Sequence, residues 1–477
     1  MKRARAGLSR VKPLEDILAA LGLRRSAWSA LAVQPLSEPT AAARIAGSCA
    51  RPALHHSTLP NGVRVVSEEP RLPGPATLGV IADYGTRDET AESSGVLHAM
   101  SLTRYKSMLN TVDTVNYGMV QMSGGEYRMG FDREKTWYKV QCLPHDAVDL
   151  FGMMVDCAFE PRNHVTCNAA IGKLAHSHRY LAAAQAHHAL TDLALAAVYG
   201  PQGLGNPLLG REDNASRLNP QTVQAFQLAQ TAPSGITVVG LGVESHAELE
   251  ELAAAKLGHF GGQRERVRAA PAFAPCHLLV PKRASHTDLL LLFPASAWDS
   301  ADLHLHHILA AALGRADPAL RDAAGLSQSR GVLARQLFHR HALFRSLEAF
   351  NMHFTDAGLF GLRAAVTAGR EVEALELLAG ALTGVDEAAF HAAKELVARE
   401  ALTALGDDFT RVEEYLKEAC VFGRVTAPDL LQRVRGATFA DFTAFLARLR
   451  AAPPALVAQG PDLGHLPSQE RLRGLFS

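Results

Sequence analysis

The 477-residue chain carries no net charge, because 48 Lys and Arg offset 48 Asp and Glu. A balanced chain has no global field to draw it onto nucleic acid. It also contains no C-x-x-C pair. Its six cysteines (Cys49, Cys142, Cys157, Cys167, Cys276 and Cys420) are scattered, which excludes a zinc ribbon and fits reduced thiols. No uninterrupted apolar run reaches the ~18 residues that mark a membrane span. The best of them, LLLLFPASAW, reads as a buried strand, so any membrane contact is expected to run through partners. A further deficit is local: no carboxylate occurs between Glu160 and Asp192.

The chain is too long for one core and implies two or more domains. A hydrophobic content of 48% with 20% charged residues is that of a globular protein rather than a disordered one. Charge is nevertheless uneven. Residues 1–54 hold nine Lys or Arg against Glu15, Asp16 and Glu38, in an Ala- and Ser-rich setting. That composition is that of an organelle transit peptide. Within it, Leu14, Ile17, Leu18 and Leu21 follow i, i+3, i+4, i+7 spacing, which predicts an amphipathic helix. Residues 1–55 are therefore a basic extension, either a targeting segment that is cleaved or a docking segment that stays.

Beyond the extension the same order of elements occurs twice. Val63 and Val65 alternate after an Asn-Gly turn signal, and ATLGVIADYG follows as a second strand. Helices are predicted over 91–105 and near 111–118, then a hairpin, EYRMGF and TWYKVQC, closed by DREK. Helical patterns follow at 145–158, 164–185 and 189–199. A strand, GITVVGLGV, precedes a Ser-capped helix, SHAELEELAAAKLGHF. The run GGQRERVRAAPAFAPC loses periodicity and reads as a linker; its charges are solvated linker charge rather than a nucleic-acid site. After it come strand TDLLLLF, helices 301–313 and 330–342, strands LEAFNMHF and GLFGLRAAV, and further helices. The expected fold is α+β, with two homologous domains at 56–262 and 283–477, each a β-sheet covered by helices, and a linker at 263–282.

TLPNGVRVVSE and YGTRDETAESSGVLH resemble the N-terminal domain of the pitrilysin-like zinc peptidases. Within them the likeness is to the mitochondrial processing peptidase subunits and the core subunits of ubiquinol–cytochrome c reductase, respiratory complex III. LEAFNMHFTDAGLFGLRAAV and ALVAQGPDLGHLPS resemble the alpha, non-catalytic subunit. The catalytic signature of the family is H-x-x-E-H. Two histidines four apart on one helix face meet one zinc ion, and the glutamate is general base for the bound water. Here those positions read His98, Ser101 and Leu102. Leu102 has no lone pair to donate, and Ser101 cannot take a proton from water near neutral pH. The resemblance implies a third ligand, a later glutamate, and the stretch without carboxylates offers none. His164, His176, His178, His187 and His188 lie in that stretch, but neither His176/His178 nor His187/His188 has i, i+4 spacing. His98 reads as the remnant of a zinc motif, with no catalytic or metal-ligating residue and no cofactor expected.

The resemblance also implies a glycine-rich substrate loop. The corresponding stretch, GRADPALRDAAGLSQSRG, keeps Gly314, Gly325 and Gly331, with Ser327 and Ser329 as further candidates. Fewer glycines mean less access to positive φ. The expected function is a non-catalytic alpha-type core subunit of complex III on the matrix side of the mitochondrial inner membrane, not an enzyme. Its expected partners are a beta-type processing-peptidase or core subunit and the cytochrome-bearing membrane subunits, with no nucleic acid. The alternative is the substrate-recognising alpha subunit of the processing peptidase, with zinc supplied by the beta partner. A self-sufficient metalloprotease is the third and weakest reading.

Overall fold

The computed structural model describes residues 53–476 apart from 69–73, 107–112, 161–163, 185, 263–267, 319–328 and 426. The amphipathic segment of the basic extension lies outside these residues. Leu54–Ser477 form one compact unit.

Two six-stranded sheets organise that unit. The first contains β1 (Leu54–Thr58), β2 (Arg64–Glu68), β3 (Ala76–Ala82), β4 (Glu126–Phe131), β5 (Thr136–Cys142) and β6 (Ile236–Leu241), in the order β1-β2-β6-β3-β5-β4. The second contains β7 (His277–Pro281), β8 (His286–Ala295), β9 (Arg315–Ala316), β10 (Phe344–His353), β11 (Gly358–Thr367) and β12 (Ala455–Gly460), in the order β7-β12-β8-β11-β10-β9. In each sheet one parallel pair, β2 with β6 or β7 with β12, is followed by antiparallel neighbours. The order β2-β6-β3-β5-β4 thus recurs as β7-β12-β8-β11-β10 with the same sense at every step. This is the repeat expected from the sequence, expressed as strand pairing.

The helices follow the same repeat. In the first half they are α1 (Val96–Ser101), α2 (Asp113–Met122), α3 (Ala147–Phe159), α4 (His164–Ala184), α5 (Ala186–Tyr199), α6 (Pro220–Gln230) and α7 (His246–Leu257). In the second they are α8 (Leu303–Leu313), α9 (Glu371–Thr383), α10 (Glu387–Gly406), α11 (Asp408–Phe422), α12 (Ala427–Gly436), α13 (Phe439–Ala451) and α14 (Gln469–Phe476). Local chemistry sets several of their ends. Ser245 caps α7 by accepting the Glu248 N–H at 3.1 Å, and Asp407 caps α11 by accepting that of Thr410 at 2.9 Å.

One face of each sheet is covered by helices of its own half. The other face is covered by a helix from the opposite half. Val412, Tyr415, Leu416 and Ala419 of α11 pack on Val66, Ile81, Val239 and Leu241 of the first sheet. Leu190, Ala194, Leu195 and Val198 of α5 pack with Leu290, Leu292, Leu359 and Val457 of the second. The approach is close. A Cβ on Gly79 of β3 would stand 2.5 Å from Val412 Cγ1 and 2.7 Å from Leu416 Cδ1.

Three local readings differ from the structure. The 91–105 segment contains only α1, because the chain turns after Ser101 instead of continuing. The 330–342 segment holds one π-helical turn, Leu333–Phe338, with the His339 N–H returning to Ala334 O at 3.1 Å. Strand β1 was not foreseen, since LHHST shows no apolar alternation; it pairs with β2 across the Asn61-Gly62 turn, where Gly62 has φ 97°. Because each half completes the packing of the other, Leu416→Ala should cost about 2–5 kcal/mol. Denaturant unfolding of single-tryptophan variants reporting Trp137 in the first half or Trp298 in the second should shift to lower midpoint in both.

Candidate functional site

The position of His98, Ser101 and Leu102 is built by one buried carboxylate. Glu89 accepts the N–H groups of Gly95 and Leu97, each at 2.9 Å, and so satisfies the orphan donors at the start of α1. Burial pushes its carboxyl up to about 8 against the lowering effect of those backbone donors. The loop after α5 clamps the same region. Asn206 Nδ2 donates to Thr86 O and Glu89 O at 2.8 Å, and Asn214 Nδ2 donates to Ser94 O at 2.8 Å.

His98 is buried in this frame. Its Nδ1 faces Leu209 O at 3.2 Å, and a carbonyl only accepts, so the proton sits on Nδ1. Its Nε2 then accepts from the Ser177 hydroxyl of α4 at 2.9 Å. Burial, with the neighbouring His178 adding to it, holds the His98 pKa below the usual histidine value. Ser101 donates its hydroxyl to His98 O at 2.7 Å, and Leu102 is half-buried against the first core. The residues here therefore do not fit a zinc ion: both imidazole nitrogens of His98 are engaged, Ser101 is turned onto its own helix, and Leu102 is apolar. Among the described residues no three His, Cys, Asp or Glu form a group that could hold a metal. His178 Nε2 donates to Gly210 O at 3.1 Å, and His176 is exposed. The side chains of His164, His187 and His188 lie outside the described part.

The substrate-loop candidates separate in the same way. Gly314 and Gly331 have φ of 76° and 86°, and their backbones cross so closely that a Cβ on Gly314 would stand 2.9 Å from Gly331 Cα. Only glycine fits both demands. Arg315 and Arg330 exchange backbone hydrogen bonds of 3.0 and 2.7 Å beside them. The Asp317 N–H donates to Ser329 Oγ at 3.3 Å. Gly314, Ser329 and Gly331 thus form a closed neck; Gly325 and Ser327 lie outside the described residues.

The neck opens on a cavity of about 540 Å³, lined by His307, Arg315, Arg330, Glu400, Glu414 and Glu418 among others. A second cavity, of about 260 Å³, shares Asn351, Glu414 and Glu418 with it and reaches the 132–135 turn of the first half. Burial, reinforced by Glu413 and opposed by Lys417, raises the Glu414 carboxyl. Glu400 pairs with Arg330 at 2.7 Å. On the second-half wall burial lowers His306 to about 4 and His307 to about 3, and both are held neutral. The joint between the halves is also charged. Arg87 meets Glu134 at 2.6 Å and Asp356 at 2.6 Å, while Thr355 donates through its N–H and hydroxyl to Glu134. Sequence reasoning missed this joint, since its members are far apart in the chain and no local pattern connects them.

Residues 217–397 match the family described as the Peptidase M16 inactive domain. The chain is similar to the mitochondrial-processing peptidase subunit beta of Blastocladiella emersonii, at 26% identity over 89% of this chain and 92% of that protein. It is also similar to an uncharacterized zinc protease of Mycobacterium leprae, at 26% identity over 72% of this chain and 75% of that protein. A third relative is the mitochondrial-processing peptidase subunit alpha-2 of Dictyostelium discoideum, at 21% identity over 87% and 94%. These likenesses support the pitrilysin-like family.

They also correct one expectation. The reading of this chain as no enzyme is overturned, because proteins named zinc proteases and a processing-peptidase beta subunit match it across most of its length. Its basis, Ser101 and Leu102 in place of base and second ligand and the lack of a later glutamate, concerns three positions only. The likeness to proteins carrying peptidase names extends over most of the chain.

The buried neutral histidines set a pH dependence. A histidine whose folded pKa lies below its unfolded value of about 6.5 contributes stability that is present above that value and lost as pH falls through it. His98, His304, His306, His307 and His353 all shift in this direction. Glu89, Glu414 and Asp132, whose carboxyls burial raises, work in the opposite sense, but His56, His246 and His277 join the histidines and keep them in the majority. Stability should therefore fall between pH 7 and pH 5, by up to about 1.4 kcal/mol per pH unit for each fully buried group. Denaturant midpoints measured across that range should drop less steeply in His306→Asn.

Proposed function

We propose that the chain is a polypeptide-handling subunit of a processing peptidase of the mitochondrial type, working beside a beta-type homologue that holds the zinc. The observation that carries this reading is the cavity at the glycine neck, built from the second half, where Glu400, Glu414 and Glu418 line the wall beside Arg315 and Arg330. Carboxylates in a sheltered, low-dielectric wall attract Lys and Arg side chains more strongly than they do in open water. The cavity volume suits one or two such side chains rather than a whole segment. The substrate class is thus a basic targeting peptide. In this reading His98 is the remnant of the H-x-x-E-H pair, and the neck of Gly314 and Gly331 carries the loop that meets substrate.

Full-length likeness to both alpha and beta processing-peptidase subunits supports this reading, along with a location in the mitochondrial matrix. Among the described residues no helix is long and apolar enough to cross a membrane. Assembly into complex III on the inner membrane is a narrower form of the proposal. It rests on the alpha-like stretches LEAFNMHFTDAGLFGLRAAV, which forms most of the β10–β11 hairpin, and ALVAQGPDLGHLPS, on Ser101 and Leu102 in the motif positions, and on the few glycines between Gly314 and Gly331.

Reconstitution with a beta-type subunit and an Arg-rich presequence peptide tests the proposal. Cleavage should require this chain, and the double substitution Glu414→Gln and Glu418→Gln should raise KM several-fold with a smaller effect on kcat. Cleavage at full rate by the beta-type subunit without this chain would sink it. Co-purification of cytochrome subunits in mild detergent would support the complex III placement.

A further inference from the structure

The second half contains a donor cluster that the peptidase reading does not use. By the strand repeat, α8 follows β8 as α1 follows β3, so α8 is the counterpart of the helix bearing His98. Its sequence, LHLHHILAAAL, brings three histidines into four positions. His306 is accounted for: its Nδ1 faces Asp302 O at 3.3 Å, and its ring lies against Phe445 at 4.6 Å. His307 is not. Its Nε2 is buried and has no hydrogen-bond partner among the described residues.

Two more unsatisfied atoms lie on the strand facing it. Asn351 and His353 are two apart on β10 and so share one face. That face is turned to α8, since Asn351 Nδ2 donates to His306 O at 2.8 Å. The Asn351 Oδ1 is buried without a partner, and so is His353 Nε2. The other nitrogen of His353 donates to Ser296 O at 2.8 Å, which fixes the tautomer and leaves a lone pair on Nε2. Metal-ligating histidines are set up in this way, with the distal N–H held by a backbone carbonyl.

The spacing agrees. The ring centres of His307 and His353 are 5.2 Å apart. Two imidazoles bound to one tetrahedral ion, with Zn–N about 2.0–2.1 Å, place their ring centres about 5 Å apart. Asn351 lines both cavities, His307 the larger and His353 the smaller, so an ion here is reached from the interior space.

We propose that His307 Nε2, His353 Nε2 and Asn351 Oδ1 form a binding site for a divalent transition-metal ion of the zinc class, with the remaining position open to water or to a substrate carbonyl. Neutral nitrogen donors with one amide oxygen select zinc, cobalt, nickel or copper over magnesium and calcium. His307, His353 and Asn351 each hold a buried polar atom without a partner, which is otherwise costly to keep. The site is separate from the His98 position, which lies in the other half.

Titration of the full-length, chelator-treated chain with Zn²⁺ alone, followed by calorimetry, tests the proposal; Co²⁺ absorption reports the ligand set. One ion should bind per chain, with affinity falling about tenfold or more in His353→Gln and in His307→Gln. Asn351→Ala, which removes the amide oxygen, should also weaken binding. Circular dichroism establishes that each variant is folded. If a variant is unfolded, the Asn351→Ala change and the nitrogen-ligand signature of the Co²⁺ spectrum decide. Absence of binding by the unsubstituted chain would overturn the site, and so would binding that is unchanged in the folded His307→Gln and His353→Gln variants.

Discussion

The structure depends on the reciprocal exchange of two helices. The α11 helix of the second half completes the packing of the first sheet, and α5 of the first half completes that of the second. Strands such as β3 and β8 carry apolar residues toward both faces, so neither sheet could leave one face in water. Gly79 shows how close the fit is, since its missing side chain is the space that Val412 and Leu416 fill. The polar joint follows from this exchange. With α11 seated on the first sheet, Lys139 of β5 reaches Glu413 at 2.5 Å and Phe409 O at 3.0 Å. Tyr415 likewise donates to the buried Glu68 at 2.8 Å.

The cavities are a product of the same arrangement. Glu414 and Glu418 stand on the face of α11 that is turned away from the first sheet, toward β10 and the 132–135 turn. A buried ion pair such as Arg87–Glu134 adds little net stability, because desolvation offsets most of the attraction. Its geometry is nonetheless restrictive. Arg87 must satisfy Glu134 from its own half and Asp356 from the other, and this fixes how the two halves face each other.

What the sequence made legible follows from how local the signal was. The run around Leu289–Phe293 announced β8 because a strand buried on both faces is apolar throughout. DREK announced the β4–β5 turn, and Ser245 announced the start of α7. The segment VLARQLFHRH has a helical pattern but closes into a single π turn, because Phe344 and β10 begin too soon after it. The exchange of α5 and α11 was not legible, since an apolar stripe specifies that a helix is buried and not against which sheet. His98 was found through its motif spacing, and its bonds to Ser177 and Leu209 were beyond reach, as those partners lie on distant segments. His307 and His353 were never paired, because they stand on a helix and a strand with a loop between. Three motif positions are a local signal, and the likeness of most of the chain to proteins with peptidase names outweighs them.

The crossing of Gly314 and Gly331 has one further consequence. The two backbones touch, and Arg315 and Arg330 lock them together before the chain departs. Both glycines are held to one residue type by main-chain contact and positive φ together. The cavity wall at Arg315 and Arg330 is thus anchored through backbone groups, which every residue type carries, so its shape there does not depend on which side chains line it.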